Sequence, residues 1–261
     1  MGQSVNMFGL NIASVSFAEA VSALSEVLDK EAPAKVVVTP NTDQIVKLSR
    51  DHDLLLQYQT ADFIFPDGFP LVVASHLLHG KGGCQERVTG ADLFPALCRV
   101  VDKQHGRIFL LGGHPEDEAS LSLAMINKYP SAQIEIFSPS MNFTTDSAEG
   151  RDAIERINRF KPDLTFACLG MPKQERWALR YRSMLATKLI CCFGAAFEFD
   201  LGLTKRAPVA IQKIGLEWLW RLLGNPRALS RRYLIDDPYF AVILLRELLK
   251  TARHRRNEPR I

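Results

Sequence analysis

Short β-branched runs and amphipathic helical stretches take turns along most of this chain, and that order leaves few folds open. Lys35-Val36-Val37-Val38-Thr39 ends at Pro40 and reads as a buried parallel strand. Phe63-Ile64-Phe65 is a second such run, and Arg107 to Leu111, Gln133 to Phe137, Leu164 to Cys168 and Lys188 to Phe193 are four more. Between them the apolar spacing predicts helices over Ala91–Val101, Glu116–Tyr129, Ser147–Phe160 and Lys173–Leu185. Before them, Ser16 reads as the cap of a helix from Phe17 to Lys30. A βαβα order of this kind implies a parallel sheet covered by helices on both faces, an α/β fold.

Composition narrows the class further. The 261 residues are 47% hydrophobic and 23% charged, which excludes a disordered chain and a fibre. No apolar stretch approaches the roughly 20 residues of a spanning helix, so any membrane contact is expected to be peripheral. The five cysteines form no CxxC pair, and three of them sit in strand-like runs, as expected of a reduced, cytoplasmic protein with core thiols.

Charge is distributed unevenly. From Lys205 onward 13 Lys+Arg face 5 Asp+Glu, while the preceding residues hold 19 against 24. An acidic body with a basic tail suggests that the tail meets an anionic surface. The tail reads as helical: Ile211 to Leu223, a break at Gly224-Asn225-Pro226, then a second stretch to Leu249 with a turn near Asp236-Asp237-Pro238. We therefore divide the chain into an α/β domain, 1–204, and a basic helical appendage, 205–261, whose last residues are expected to fray. Arginines there (Arg221, Arg227, Arg231, Arg232) interleave with Trp218, Trp220 and Tyr233, a mixture suited to anionic head groups. The same basic tail suits nucleic acid, a reading the acidic body counts against.

Ligands of a parallel α/β sheet bind beyond the carboxyl ends of its strands. The residues there are Thr39-Pro40-Asn41, Pro66-Asp67-Gly68, Gly112-Gly113-His114 and Leu169 to Gln174. Gly112-Gly113 ends a strand and opens a helix, where backbone N–H groups favour a phosphate. A full GxGxxG is missing, and the next strand ends Phe137-Ser138-Pro139 without the acid that holds a dinucleotide ribose. This argues against a dehydrogenase-like NAD site. Asp67, after an apolar strand, is placed to be a general base, although Asp before Gly more often serves a turn. Arg87, beside a helix start capped by Thr89, is placed either to grip a phosphate or to pair with Glu86 or Asp92. Asp51-His52-Asp53 reads as a cap between helices, and His76 and His79 lack a third ligand, so no metal is expected.

Several of these segments together resemble a known family. ThrProAsnThr (39–42), ProAspGly (66–68), GluArgValThrGlyAlaAspLeu (86–93), PheLeuLeuGlyGly (109–113), LeuGlyMetProLysGlnGlu (169–175), LysArgAlaPro (205–208) and GlyLeuGluTrpLeuTrpArgLeu (215–222) are similar, in order, to the blocks of the WecG/TagA/CpsF family, glycosyltransferase family 26. The resemblance implies a Rossmann-like fold and an inverting transfer from a UDP-sugar to a polyprenyl-diphosphate-linked saccharide. It implies Asp67 as base. Thr39, Asn41, Arg87, Gly112, Gly113, Gly170, Lys173 and Gln174 are then expected around the substrates, and Arg221, Arg227, Arg231 and Arg232 at the membrane or lipid diphosphate. No cofactor and no nucleic acid are implied. The expected location is cytoplasmic, peripheral on the inner face of the plasma membrane, with a homo-oligomer left open. SerProSerMetAsnPhe (138–143) differs from the glycine-aromatic stretch of N-acetylmannosaminyl and N-acetylmannosaminuronyl transferases of the family. On that ground the expected activity is a hexosyltransferase of exopolysaccharide synthesis, with those two transfers as the alternative.

Overall fold

A computed structural model describes residues 3–213, 216–224, 226, 230 and 237–257, the side chains of 209, 213, 221 and 253–257 excepted. It is an α/β Rossmann-like fold. A two-stranded hairpin, β1 (Ser4–Met7) and β2 (Leu10–Ala13), comes first. Six parallel strands follow: β3 (Lys35–Val38), β4 (Phe63–Ile64), β5 (Arg107–Gly112), β6 (Gln133–Phe137), β7 (Leu164–Cys168) and β8 (Leu189–Cys192). They lie in the order β4-β3-β8-β7-β5-β6.

Helix α1 (Phe17–Leu28) starts at a reciprocal capping box between Ser16 and Glu19. α2 (Thr42–Arg50) and α3 (His52–Tyr58) are capped by Asn41 and Asp51. α4 (Phe69–His79), α5 (Gly90–Lys103), α6 (Glu118–Lys128), α7 (Ala148–Phe160) and α8 (Lys173–Tyr181) complete the crossovers. Helices α1 and α5 to α8 sit where the apolar spacing placed them, and α2, α3 and α4 lie where it gave no range. Apolar side chains fill both faces of the sheet. Val36, Val38, Phe109 and Ile190 are buried on one, and Val37, Ile108, Leu110 and Phe166 on the other. Each such side chain contributes roughly 1.5–3 kcal/mol, so the sheet is the rigid part of the molecule. All five cysteines are buried and unpaired within it or beside it.

The hairpin was not legible from its turn. Phe8 (φ 56°) and Gly9 (φ 77°) both take left-handed backbone, the primed turn that hairpins favour, but Phe-Gly lacks the usual Asn-Gly or Asp-Gly signature.

Past β8 the described elements are helices. α9 (Ala196–Asp200) leads to α10 (Val209–Lys213), α11 (Glu217–Gly224) and α12 (Asp237–Asn257). α12 lies against α2 and α4. Phe240 is buried edge-on to Phe8, with centroids 5.3 Å apart, and Arg50 sits over the Tyr239 ring. The helix is described through Asn257; the last four of the residues expected to fray, 258–261, lie outside the described residues. Among the described residues no helix is long and apolar enough to cross a membrane.

Topology locates the crevices. β5 leads outward to β6, whereas β7 leads the opposite way to β8, so the direction of winding reverses between β5 and β7. There the two strands meet closely: a Cβ on Gly112 (φ 150°) would lie 2.4 Å from the carbonyl oxygen of Cys168. Gly170 (φ 75°) faces open space. Gly112→Ala should therefore cost about 2–4 kcal/mol, from strain plus overlap, and Gly170→Ala only about 1 kcal/mol, from strain alone. Urea unfolding of the two variants checks this; equal costs would mean that β5 and β7 do not approach as described.

Candidate active site

Two cavities open beyond the carboxyl ends of the strands. The first, of about 540 Å³, lies past β4, β3 and β8. Thr39, Asn41, Asp67, Arg87 and Gln174 all line it. The second, of about 550 Å³, lies at the β5/β7 reversal and is lined by Gly113, Gly170 and Lys173. Gly194 and Ala195, after β8, border both. The residues singled out from the sequence thus fall into two adjoining groups. Gly112 borders neither; its part is the close approach of β5 to β7.

Asp67 is half-buried, held by its own backbone amide, which donates to the Pro40 carbonyl at 2.9 Å. Gly68 follows with φ 106° and begins α4, turning the chain sharply and leaving the carboxylate on the cavity wall. Thr39, which lines the same cavity, is buried. Asn41 is engaged as the cap of α2, accepting from the Gln44 amide at 3.1 Å. Lys173, at the start of α8, donates to the Met141 carbonyl at 3.1 Å across the second cavity.

Arg87 sits in a four-membered charge network. Its Nη1 donates to Glu217 Oε2 at 3.1 Å, and Asp92 lies 3.8 Å from Nη2. Arg206 completes the square, reaching Asp92 at 2.6 Å and Glu217 at 3.3 Å. Burial works to raise the Asp92 carboxyl, but the hydrogen bonds and charge of Arg206, with help from Thr89 and Arg87, outweigh it and hold the group below its ordinary range. Asp92 and Arg87 come from the start of α5, Arg206 from LysArgAlaPro and Glu217 from α11. The network therefore ties the C-terminal helices to the α/β body at the rim of the first cavity. Trp218, Pro238, Phe240 and Ala241 make the rest of that wall. Sequence reasoning named Asp92 only as an alternative partner of Arg87 and missed the roles of Arg206 and Glu217. Two arginines and two carboxylates scattered over 130 residues carry no local signal of pairing.

Gln174 is 2% exposed. Its Oε1 accepts from the Gly170 and Gly194 amides, both at 3.1 Å, and its Nε2 donates to Glu175 Oε1 at 2.8 Å. Glu175 was quoted in a motif but given no role. It is 1% exposed, and burial pushes its carboxyl up from the usual 4.5 to about 7, against hydrogen bonds from Gln174, from its own amide and from the side of Tyr58. Neither the Tyr58 hydroxyl nor Glu175 Oε2 makes a well-formed hydrogen bond.

Other expected features have plain structural uses. Asp51 accepts from the Leu54 amide and pairs with Arg176 at 2.6 Å. His76 and His79 meet the carbonyls of Gly80 and Asn6. Among the described residues no three His, Cys, Asp or Glu side chains converge as a metal set. Arg221 falls on α11 with its side chain undescribed, and Arg227, Arg231 and Arg232 lie outside the described residues. On α11, Trp218, Trp220 and Leu223 are exposed, the last by 73%.

The model of the glycosyl transferase WecG/TagA/CpsF family matches residues 5–254. An N-acetylglucosaminyldiphosphoundecaprenol N-acetyl-beta-D-mannosaminyltransferase of Bacillus subtilis (strain 168) is 30% identical over 213 residues, 81% of this chain and 79% of the relative. The enzyme of the same name from Staphylococcus aureus (strain MRSA252) is 24% identical over 250 residues, 95% and 96% of the two chains.

Glu175 gives stability a pH dependence. Its folded pKa lies above its unfolded one, so between about 4.5 and about 7 the native state holds a proton that the unfolded chain has lost. Stability must fall as pH rises through that window, by on the order of 3 kcal/mol. Urea unfolding at a series of pH values should show this fall in the wild type and a flatter profile in Glu175→Gln. Parallel profiles would mean that the carboxyl titrates normally.

Proposed function

We propose that this chain, which belongs to the WecG/TagA/CpsF family of glycosyl transferases, moves an N-acetylmannosaminyl group from a UDP-sugar to a polyprenyl-diphosphate-linked N-acetylglucosamine. The observation that carries the reading is Asp67, a carboxylate on the wall of a cavity of about 540 Å³ that adjoins two glycine-bearing loops and an arginine pair.

The acceptor and the sugar are proposed from the names of the relatives, which favour N-acetylmannosaminyl transfer over the hexose transfer expected from residues 138–143. That stretch has structural uses of its own. Its serines are engaged within the loop: Ser138 Oγ donates to the Gly112 carbonyl and Ser140 Oγ to Glu149, at 2.9 and 2.8 Å. Both hydroxyls thus have a structural use that would account for their presence.

In this reading the UDP diphosphate lies at the β5/β7 reversal, between the backbone at Gly113 and the Lys173 ammonium and against the Gly170 loop, with the sugar reaching past Gly194 toward Thr39. The acceptor hydroxyl enters the first cavity beside Asp67. As its oxygen bonds to the anomeric carbon, the Asp67 carboxylate takes its proton. The bond from that carbon to the diphosphate oxygen breaks on the opposite side, its electron pair leaving with UDP, and the configuration inverts. The Gly113 backbone and Lys173 meet the charge that develops on the leaving group, and Arg87, on the rim of the first cavity, faces the diphosphate of the acceptor. No resident cofactor is required of these residues. The exposed Trp218, Trp220 and Leu223 and the basic tail fit a peripheral site on the anionic inner leaflet, where a polyprenyl acceptor resides.

Initial-rate UDP release from UDP-N-acetylmannosamine, with a polyprenyl-diphosphate N-acetylglucosamine acceptor, tests the proposal. Asp67→Asn should lower kcat by roughly 10²–10⁴-fold with little change in melting temperature. Near-wild-type turnover in that variant, or UDP release only from a UDP-hexose, would contradict it.

A further inference from the structure

Gln174 is expected from the sequence to line the substrate site, yet its amide is committed elsewhere. Both lone pairs of Oε1 are taken by backbone amides, one from the loop after β7 and one from the loop after β8. Those loops are the partition between the two cavities: Gly194 borders both, and Gly170 borders the second. One side-chain amide therefore sets how far apart two walls of the site stand.

An amide can do this only while its other end is held. The Nε2 of Gln174 is a buried donor, and a buried donor left without an acceptor loses its hydration with nothing in return. Its acceptor is Glu175 Oε1 at 2.8 Å. Without it the amide has reason to turn or withdraw in search of a partner. Turning would face its N–H groups toward two N–H donors and release both loops at once.

We propose that Glu175 is a positioning residue for the transfer reaction: it holds the Gln174 amide in the orientation that clamps the loops after β7 and β8 at the junction of the two cavities. A carboxyl is otherwise a poor choice for this place. It is 1% exposed, one of its oxygens has no well-formed partner, and its surroundings are Tyr58 from α3, Cys192 from β8 and the more distant Lys47 from α2. Burying such a group weakens the fold, and a methionine of similar volume would strengthen it. The position makes sense as one where fold stability is given up for the geometry of the site. The proposal uses the transferase reading only for its activity readout.

The test compares Glu175→Met and Glu175→Gln in the full chain. Three quantities are measured: the melting temperature, amide hydrogen exchange at Gly170 and Gly194 by NMR, and the kcat and KM of UDP release. Glu175→Met should melt no lower than wild type at about pH 7.5, because it removes a buried ionised group. Exchange at the two glycine amides should quicken by about tenfold or more. The kcat should fall by about tenfold or more while KM for the donor changes less, since displacement of a site wall by about 1 Å is costly to the chemical step. Glu175→Gln keeps an oxygen that accepts the same hydrogen bond and should restore exchange and kcat to within about threefold of wild type.

Wild-type exchange at both glycines in Glu175→Met would overturn the proposal. So would a melting temperature that drops together with activity, which would make Glu175 a fold residue, or a Glu175→Gln variant as impaired as Glu175→Met. If the wild-type protein releases no UDP at all, the transferase reading fails, and the exchange arm still decides whether Glu175 holds the clamp.

Discussion

Every parallel strand of the sheet ends on the same edge, and each backbone must leave that edge without carrying unpaired amides into the core. That constraint shapes the site. Gly112 can end β5 only because it lacks a side chain where Cys168 approaches. Gly68 and Gly170 turn the chain with left-handed backbone. The amides of Gly170 and Gly194 would point into the partition unpaired if Gln174 did not accept from both. The same turns that satisfy the backbone leave a carboxylate and a lysine on the walls of two adjoining cavities. In this sense the ligand site is the way the strand ends are finished.

Charge does for the C-terminal segment what glycine does for the strand ends. Arg87, Asp92, Arg206 and Glu217 form a closed square in which each charge faces two opposite ones. None is fully buried, so the individual pairs contribute little by themselves, and cooperation within the network matters more than any one contact. The square fixes the angle at which α11 meets the body. Below it, Phe240 and Tyr239 anchor α12 against Phe8 and Arg50. The basic region past residue 204 is thus a wall of the first cavity as well as a surface. A substrate carrying a diphosphate would enter beside two arginines whose present partners are carboxylates.

The sheet was legible in the sequence because its signal is local: Val36-Val37-Val38 or Leu164 to Cys168 can only be buried, and the helical spacing between such runs fixes the connections. Asp67 and Thr39 were legible because a strand end is a place, and the residues after a strand can be read in order. The hairpin escaped because Phe8 adopts a turn conformation that its side chain does not advertise. Arg206 and Glu217 escaped because their partners are distant in sequence. Glu175 escaped for a different reason. A glutamate beside a glutamine at a helix start reads as a solvated first turn, and only the packing of α8 against α3 and β8 shows it to be enclosed. Residues 138–143 border the second cavity, and the hydroxyls of Ser138 and Ser140 are bonded to Gly112 and Glu149, so the stretch did not by itself read out a sugar.

The account stands on where the donor lies relative to position 67. A crystal structure of the protein with uridine diphosphate and a non-reactive acceptor analogue would measure this directly. The account predicts the diphosphate over the loops after β5 and β7, in reach of Lys173 Nζ. The Asp67 carboxylate should sit within hydrogen-bond distance, about 3 Å, of the acceptor hydroxyl in the first cavity. A nucleotide bound on another face of the sheet, or an acceptor hydroxyl turned away from Asp67, would contradict it.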